Sequence, residues 1–88
     1  MVSGKVVVVN PTGLHARPAA KFVTEAKKYK STITIKKNDK TINGQSIIQI
    51  MSAGISAGVE ILIEAEGPDE EVVVRDLIGL IDSGFGEI

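Results

Sequence analysis

His15 is the one histidine of the chain, and Arg17 follows it by two positions within Asn10-Pro11-Thr12-Gly13-Leu14-His15-Ala16-Arg17-Pro18. An apolar run, Val6 to Val9, precedes this segment, and a helical pattern opens at Ala16. The spacing therefore sets an imidazole and a guanidinium at the start of a helix, where the first backbone N–H groups have no intrahelical acceptor. Such a start attracts anions. Its positive end disfavours an imidazolium and keeps the ring available as a nucleophile. Arg17 adds a permanent charge whose planar fork suits phosphate oxygens. No carboxylate occurs between residues 1 and 24, so nothing near in sequence neutralises the site. Imidazole attack on a phosphoryl donor forms a phosphoramidate, reactive enough to pass the group onward. Each residue also has a plainer explanation, His15 as a cap or surface histidine and Arg17 as a solvated cation. Their conjunction is what points to phosphoryl chemistry.

Other chemistries fit less well. One histidine and no cysteine are too few ligands for a zinc site. The chain has no GxxxxGK loop to cradle a nucleotide and no nucleophile-elbow sequence. No metal or cofactor is expected. A small phosphatase with an arginine-lined phosphate cradle and a simple α+β interaction module are competing classes, beside a binding-only paralogue of a carrier, which could lack the acceptor histidine that is present here. The first needs turnover of a free phosphoester; the second leaves the residue choices around His15 unexplained.

The positioning elements must come from 88 residues, 43% of them apolar, with only two Phe, one Tyr and no Trp. That length supports one domain, residues 1–88, with an aliphatic core. Ten basic and eleven acidic residues give a net charge of −1, which argues against direct nucleic-acid binding. The Val run is too short for a signal peptide, and no apolar stretch reaches membrane-spanning length, so no membrane insertion is expected and a cytoplasmic location is the default.

Val6 to Val9, apolar on both faces, reads as a strand that is central or lies beneath helices. Ala19, Ala20, Phe22, Val23 and Ala26 form one stripe of a helix expected to end near Tyr29 or Lys30, with Pro18 tolerated in its first turn. Ser31 to Lys37 alternates, Asn38-Asp39 reads as a turn, and Lys40 to Asn43 as the return strand. Ser46 and Gln49 match a capping box in which Ser46 accepts the Gln49 N–H and the Gln49 amide reaches back. Val59 to Ala65 is the clearest strand, and Asp69 opens a last helix that buries Val73, Val74, Leu77, Ile78 and Ile81 before Gly84 stops it. The order β-α-β-β-α-β-α is expected to give a mostly antiparallel four-stranded sheet with its helices on one face.

With these elements placed, Leu14-His15-Ala16-Arg17-Pro18-Ala19-Ala20 resembles the signature of the histidine-containing phosphocarrier family of the bacterial phosphoenolpyruvate-dependent sugar phosphotransferase system, and the likeness runs through the whole chain. The resemblance implies an open-faced β-sandwich, an α+β fold. It implies that His15 receives phosphate through ring Nδ1 from enzyme I and donates it to IIA domains of sugar permeases, with Arg17 stabilising the phosphate. The protein is then a carrier that depends on partner enzymes, and sugar specificity lies downstream.

Ser46 is explained as an N-cap, worth about 1 kcal/mol. The resemblance adds a second role, because Ser46 matches the regulatory serine of Gram-positive members. There an ATP-dependent kinase/phosphorylase modifies it and the product acts as a corepressor with catabolite control protein A. Ile48, Gln49 and Ala53 depart from the usual Gram-positive residues Met, Gly and Leu. Ala20, Ile47, Ile48 and Met51 are candidates for a partner-docking patch beside His15, although a short helix must also bury some of its apolar residues.

Overall fold

The computed structural model describes residues 1–87; the expected domain boundary at Ile88 lies outside the described residues. The elements run β1 (Val2–Val7), α1 (Ala16–Ala26), β2 (Thr32–Lys37), β3 (Lys40–Asn43), α2 (Ile47–Ser52), β4 (Glu60–Glu66) and α3 (Glu70–Asp82), followed by a 3₁₀ turn at Gly84–Gly86. The four strands form one sheet in the order β1-β4-β2-β3, and every neighbouring pair is antiparallel. The expected element order and open-faced α+β sandwich are what the chain adopts.

Strand alternation generates the inner face of the sheet. Val6 pairs with Ile61, Ile35 with both Ile63 and Ile42, and Ile33 with Ala65, and all of these are buried. Their period of two directs them to one side, where the helices cover them. From α1 come Ala19, Phe22, Val23 and Ala26, spaced by three and four as one helical stripe; from α3 come Val73, Val74, Leu77 and Ile81. Phe22 is fully buried, and Phe85 closes the same core from the C-terminal turn. On the opposite face, Lys36 and Glu64 meet at 3.2 Å in a partly exposed pair that contributes little to stability.

Two boundaries differ from expectation. β1 begins at Val2, and of the two expected placements it takes the second: β4 inserts between β1 and β2, leaving β1 at the edge of the sheet with α3 packed against it. The Val run alternates: Val6 and Val8 are buried while Val7 and Val9 are exposed. Pairing continues past the strand through Val8 N–H to Val59 O at 2.9 Å and Gly58 N–H to Val8 O at 2.7 Å. Helix α1 stops at Ala26 rather than near Tyr29, where i−3 bonds tighten the chain: Lys28 N–H donates to Glu25 O at 3.1 Å and Tyr29 N–H to Ala26 O at 3.4 Å.

The Ser46 cap is present in half of its expected form. Ser46 Oγ accepts the Gln49 N–H at 3.3 Å. The Gln49 side chain reaches past Ser46 instead, its Oε1 accepting the Asn43 N–H at 2.9 Å, because the Ser46 N–H is already donated to Asn43 O.

Candidate functional site

The loop between β1 and α1 is shaped by Asn10 and Gly13. Gly13 has φ +67°, in the left-handed region, and a Cβ there would stand 2.5 Å from Ile55 O. Only glycine fits both demands. The next residue docks on the same partner, with Leu14 N–H donating to Ile55 O at 2.9 Å and the Leu14 side chain buried. Asn10 is buried; its Nδ2 donates to Gly13 O at 2.8 Å, and Gly13 N–H returns a bond to Asn10 O at 3.1 Å. These contacts bring the chain to His15 in a defined orientation and start α1 immediately after it.

His15 is the N-cap residue of α1. Its backbone is extended (φ −94°, ψ −163°), its carbonyl accepts the Ala19 N–H at 2.8 Å, and its side chain makes no capping bond. The imidazole is therefore not consumed by the helix, and His15 is exposed. Ala16 and Arg17 hold the first two helical positions, so their amides have no intrahelical acceptor, and Pro18 at the third has no N–H to leave unpaired. Arg17 is exposed and has no ion pair among the described residues. Thr12, His15, Ala16, Arg17, Pro18 and Glu87 border one open cleft of about 280 Å³. An exposed imidazole, two free helix amides, a threonine and an uncommitted guanidinium thus share a cleft large enough for a phosphoryl group.

Glu87 overturns one expectation. No carboxylate lies near this segment in sequence, but the fold delivers one from the other end of the chain. Thr12 Oγ1 donates to Glu87 Oε2 at 2.8 Å, Thr12 N–H to Oε1 at 3.3 Å, and Asn10 Nδ2 to Oε1 at 3.2 Å. The Thr12 hydroxyl is the main cause that holds the Glu87 carboxyl below the usual carboxylate range; partial burial opposes it, and the Asn10 amide, the Thr12 N–H and the nearby Lys21 charge add to the lowering. Lys21 also donates to Phe85 O at 3.1 Å, tying α1 to the C-terminal turn. Sequence reasoning missed Glu87 because no local pattern links residues 12 and 87.

The remaining sequence-predicted residues fall elsewhere. Ser46 is half-buried at the start of α2. Ile47 and Met51 are 39% and 36% exposed and Ile48 is 78% exposed, while Ile50 fills the core in their place. Ala20 borders a groove with Arg17, Lys21 and Leu80, whereas Ile48 borders a different one with Lys40, Ile42 and Ser52. Among the described residues no cluster of three or more His, Cys, Asp or Glu is placed to hold a metal ion, and no helix is long and apolar enough to cross a membrane.

Comparison with known proteins gives a consistent result. The family model described as "PTS HPr component phosphorylation site" matches residues 2–83. The chain is 41% identical to phosphocarrier protein HPr of Borreliella burgdorferi, over 94% of this chain and 96% of that protein. It is also 41% identical to the HPr-like protein Crh of Bacillus subtilis, over 92% and 95% of the two chains. The crystal structure of HPr from Thermoanaerobacter tengcongensis, 46% identical, superposes with a TM-score of 0.97 over 100% of this chain and 99% of that one.

Proposed function

The chain belongs to the HPr family of phosphocarriers, and from that premise we propose that His15 accepts a phosphoryl group from enzyme I and donates it to IIA domains of sugar permeases. The observation that carries this reading is the exposed, uncapped imidazole of His15 sharing its cleft with an Arg17 that has no ion pair among the described residues. A ring nitrogen, Nδ1 in the family pattern, attacks phosphorus as the donor's bond to the phosphoryl group breaks. The Ala16 and Arg17 amides face the added charge, and the Arg17 fork pairs with the phosphoryl oxygens. A carrier must also release the group. An open cleft that leaves the phosphoryl group accessible suits onward transfer better than the closed, water-free pocket of an enzyme that completes its own reaction. The protein then works as a cytoplasmic carrier rather than as an enzyme.

Exposed Ile47, Ile48 and Met51 on α2 and half-buried Ala20 on α1 are the proposed docking residues, since exposed apolar side chains are suited to brief partner contact. Incubation with enzyme I and phosphoenolpyruvate is expected to put acid-labile, base-stable phosphate on His15. Failure to label under conditions that label a known carrier would overturn the reading.

A second role is proposed for Ser46, as the target of a serine kinase/phosphorylase whose product binds catabolite control protein A. Two observations favour it: Ser46 is only half-buried and stands beside the exposed Ile47 and Ile48, and similar proteins include Crh, the Bacillus subtilis catabolite repression HPr. Kinase and ATP should give an acid-stable adduct that disappears in S46A; its persistence in that variant would assign the modification elsewhere.

A further inference from the structure

The carboxylate of Glu87 occupies donors that face the phosphoryl cleft. Its oxygens take both the hydroxyl and the N–H of Thr12, and Thr12, His15 and Glu87 border the same 280 Å³ opening. Both Thr12 and Glu87 are exposed, so their bond can be exchanged for one to another anion or to water; the buried Asn10 Nδ2, which also donates to Glu87 Oε1 at 3.2 Å, keeps its shorter bond to Gly13 O at 2.8 Å when the carboxylate leaves. The turn behind Glu87 is anchored separately, by the buried Phe85 ring and by Lys21 holding the Phe85 carbonyl. The side chain of Glu87 can therefore leave Thr12 without the C-terminal turn coming away from α1. Arg17 has no ion pair among the described residues, so the carboxylate has not taken the guanidinium as its partner.

We propose that Glu87 is a positioning residue for phosphoryl transfer, whose carboxylate holds Thr12 while His15 is bare and is displaced from it when His15 carries phosphate. A phosphoryl group brings nearly two negative charges and three acceptor oxygens into the cleft. It competes with the carboxylate for the Thr12 donors and repels it. The bare state is thus ordered by Glu87, and the loaded state is raised in free energy by a neighbouring like charge, which favours donation. This inference rests on the carrier reading of His15.

The test uses a small donor, so that no partner protein is involved. With phosphoramidate, a His15 ring nitrogen attacks phosphorus, the donor's P–N bond breaks, and ammonia leaves with the proton that the ring gives up. Wild type and E87Q, which keeps an acceptor oxygen but loses the charge, are labelled and followed by phosphorus and carbon-13 NMR. In wild type, loading is expected to shift the Glu87 Cδ and Thr12 amide signals together. The phosphohistidine of E87Q is expected to outlast that of wild type by about two- to fivefold, the range for a single unit charge at a water-exposed site. Labelling with unmoved Glu87 and Thr12 signals, or with equal lifetimes in the two proteins, overturns the role of Glu87 and leaves the carrier reading intact. No phosphohistidine in wild type overturns both.

Discussion

Thr12 and Glu87 lie 75 positions apart in sequence, yet the Thr12 hydroxyl donates to the Glu87 carboxylate at 2.8 Å across the mouth of the His15 cleft. The contact joins the loop that presents His15 to the last described turn of the chain. A site that looks purely cationic in sequence is therefore balanced by a distant carboxylate.

The pH dependence of this contact has a definite sign. The folded Glu87 carboxyl is held below its unfolded value, with the Thr12 hydroxyl as the leading cause. Its contribution to stability is therefore present above the unfolded value of about 4.3 and is lost as pH falls through the lower folded value. The Thr12 amide signal is expected to titrate with a midpoint below about 4.3. In T12V that midpoint, read at Glu87 Cδ, should move up; an unchanged midpoint would remove Thr12 as the cause.

Asp69 obeys the same rule at the other end of the sheet. The Ser31 hydroxyl and then the Lys30 N–H hold its carboxyl below the usual range. D69N should lower the denaturation midpoint near neutral pH, and the difference should shrink as pH falls through the folded value. A difference that stays constant down to strongly acid pH would show that the loss is unrelated to the charge.

H15A separates chemistry from folding. The imidazole is exposed and makes no capping bond, so the variant should unfold within about 0.5 kcal/mol of wild type. Labelling by enzyme I and phosphoenolpyruvate should vanish. Equal labelling of H15A would move the acceptor to another residue.

G13A should damage both. The left-handed φ of +67° alone costs an alanine about 1–2 kcal/mol. The Cβ would also collide with Ile55 O, so the loop must shift and carry His15 with it. Urea unfolding is expected to show a loss above that strain cost, with slower labelling; wild-type behaviour in both measurements would contradict the close approach.

I48K tests docking. Ile48 is 78% exposed, so the substitution should leave the melting temperature nearly unchanged. The protein concentration needed for half-maximal transfer from enzyme I should rise, while labelling by phosphoramidate stays as in wild type. A parallel fall in both rates would place the effect in the cleft instead.

Much of the architecture was legible because its signals are local. The 3-and-4 spacing of Ala19, Phe22, Val23 and Ala26 determines a helix and its buried side, and alternation does the same for Ile61, Ile63 and Ala65. The start of α1 at Ala16, with His15 as its N-cap and Pro18 in its first turn, also follows from neighbouring residues alone, as does the Ser46 cap of α2. These features depend on backbone geometry within a few positions, which sequence spacing encodes directly.

Tertiary structure decided what spacing cannot encode. The Val run is apolar at every position, so its pattern could not reveal that β4 pairs beside it and leaves β1 at an edge with Val7 and Val9 exposed. The apolar residues of α2 do not announce which one is inward; packing against α1 and β3 buries Ile50 and leaves Ile48 outside. Glu87 reaches Thr12 only because α3 returns the chain across the sheet and the buried Phe85 and Lys21 fix the turn behind it. His15 and its helix were written locally, whereas the carboxylate that borders the same cleft is placed by the path of the whole chain.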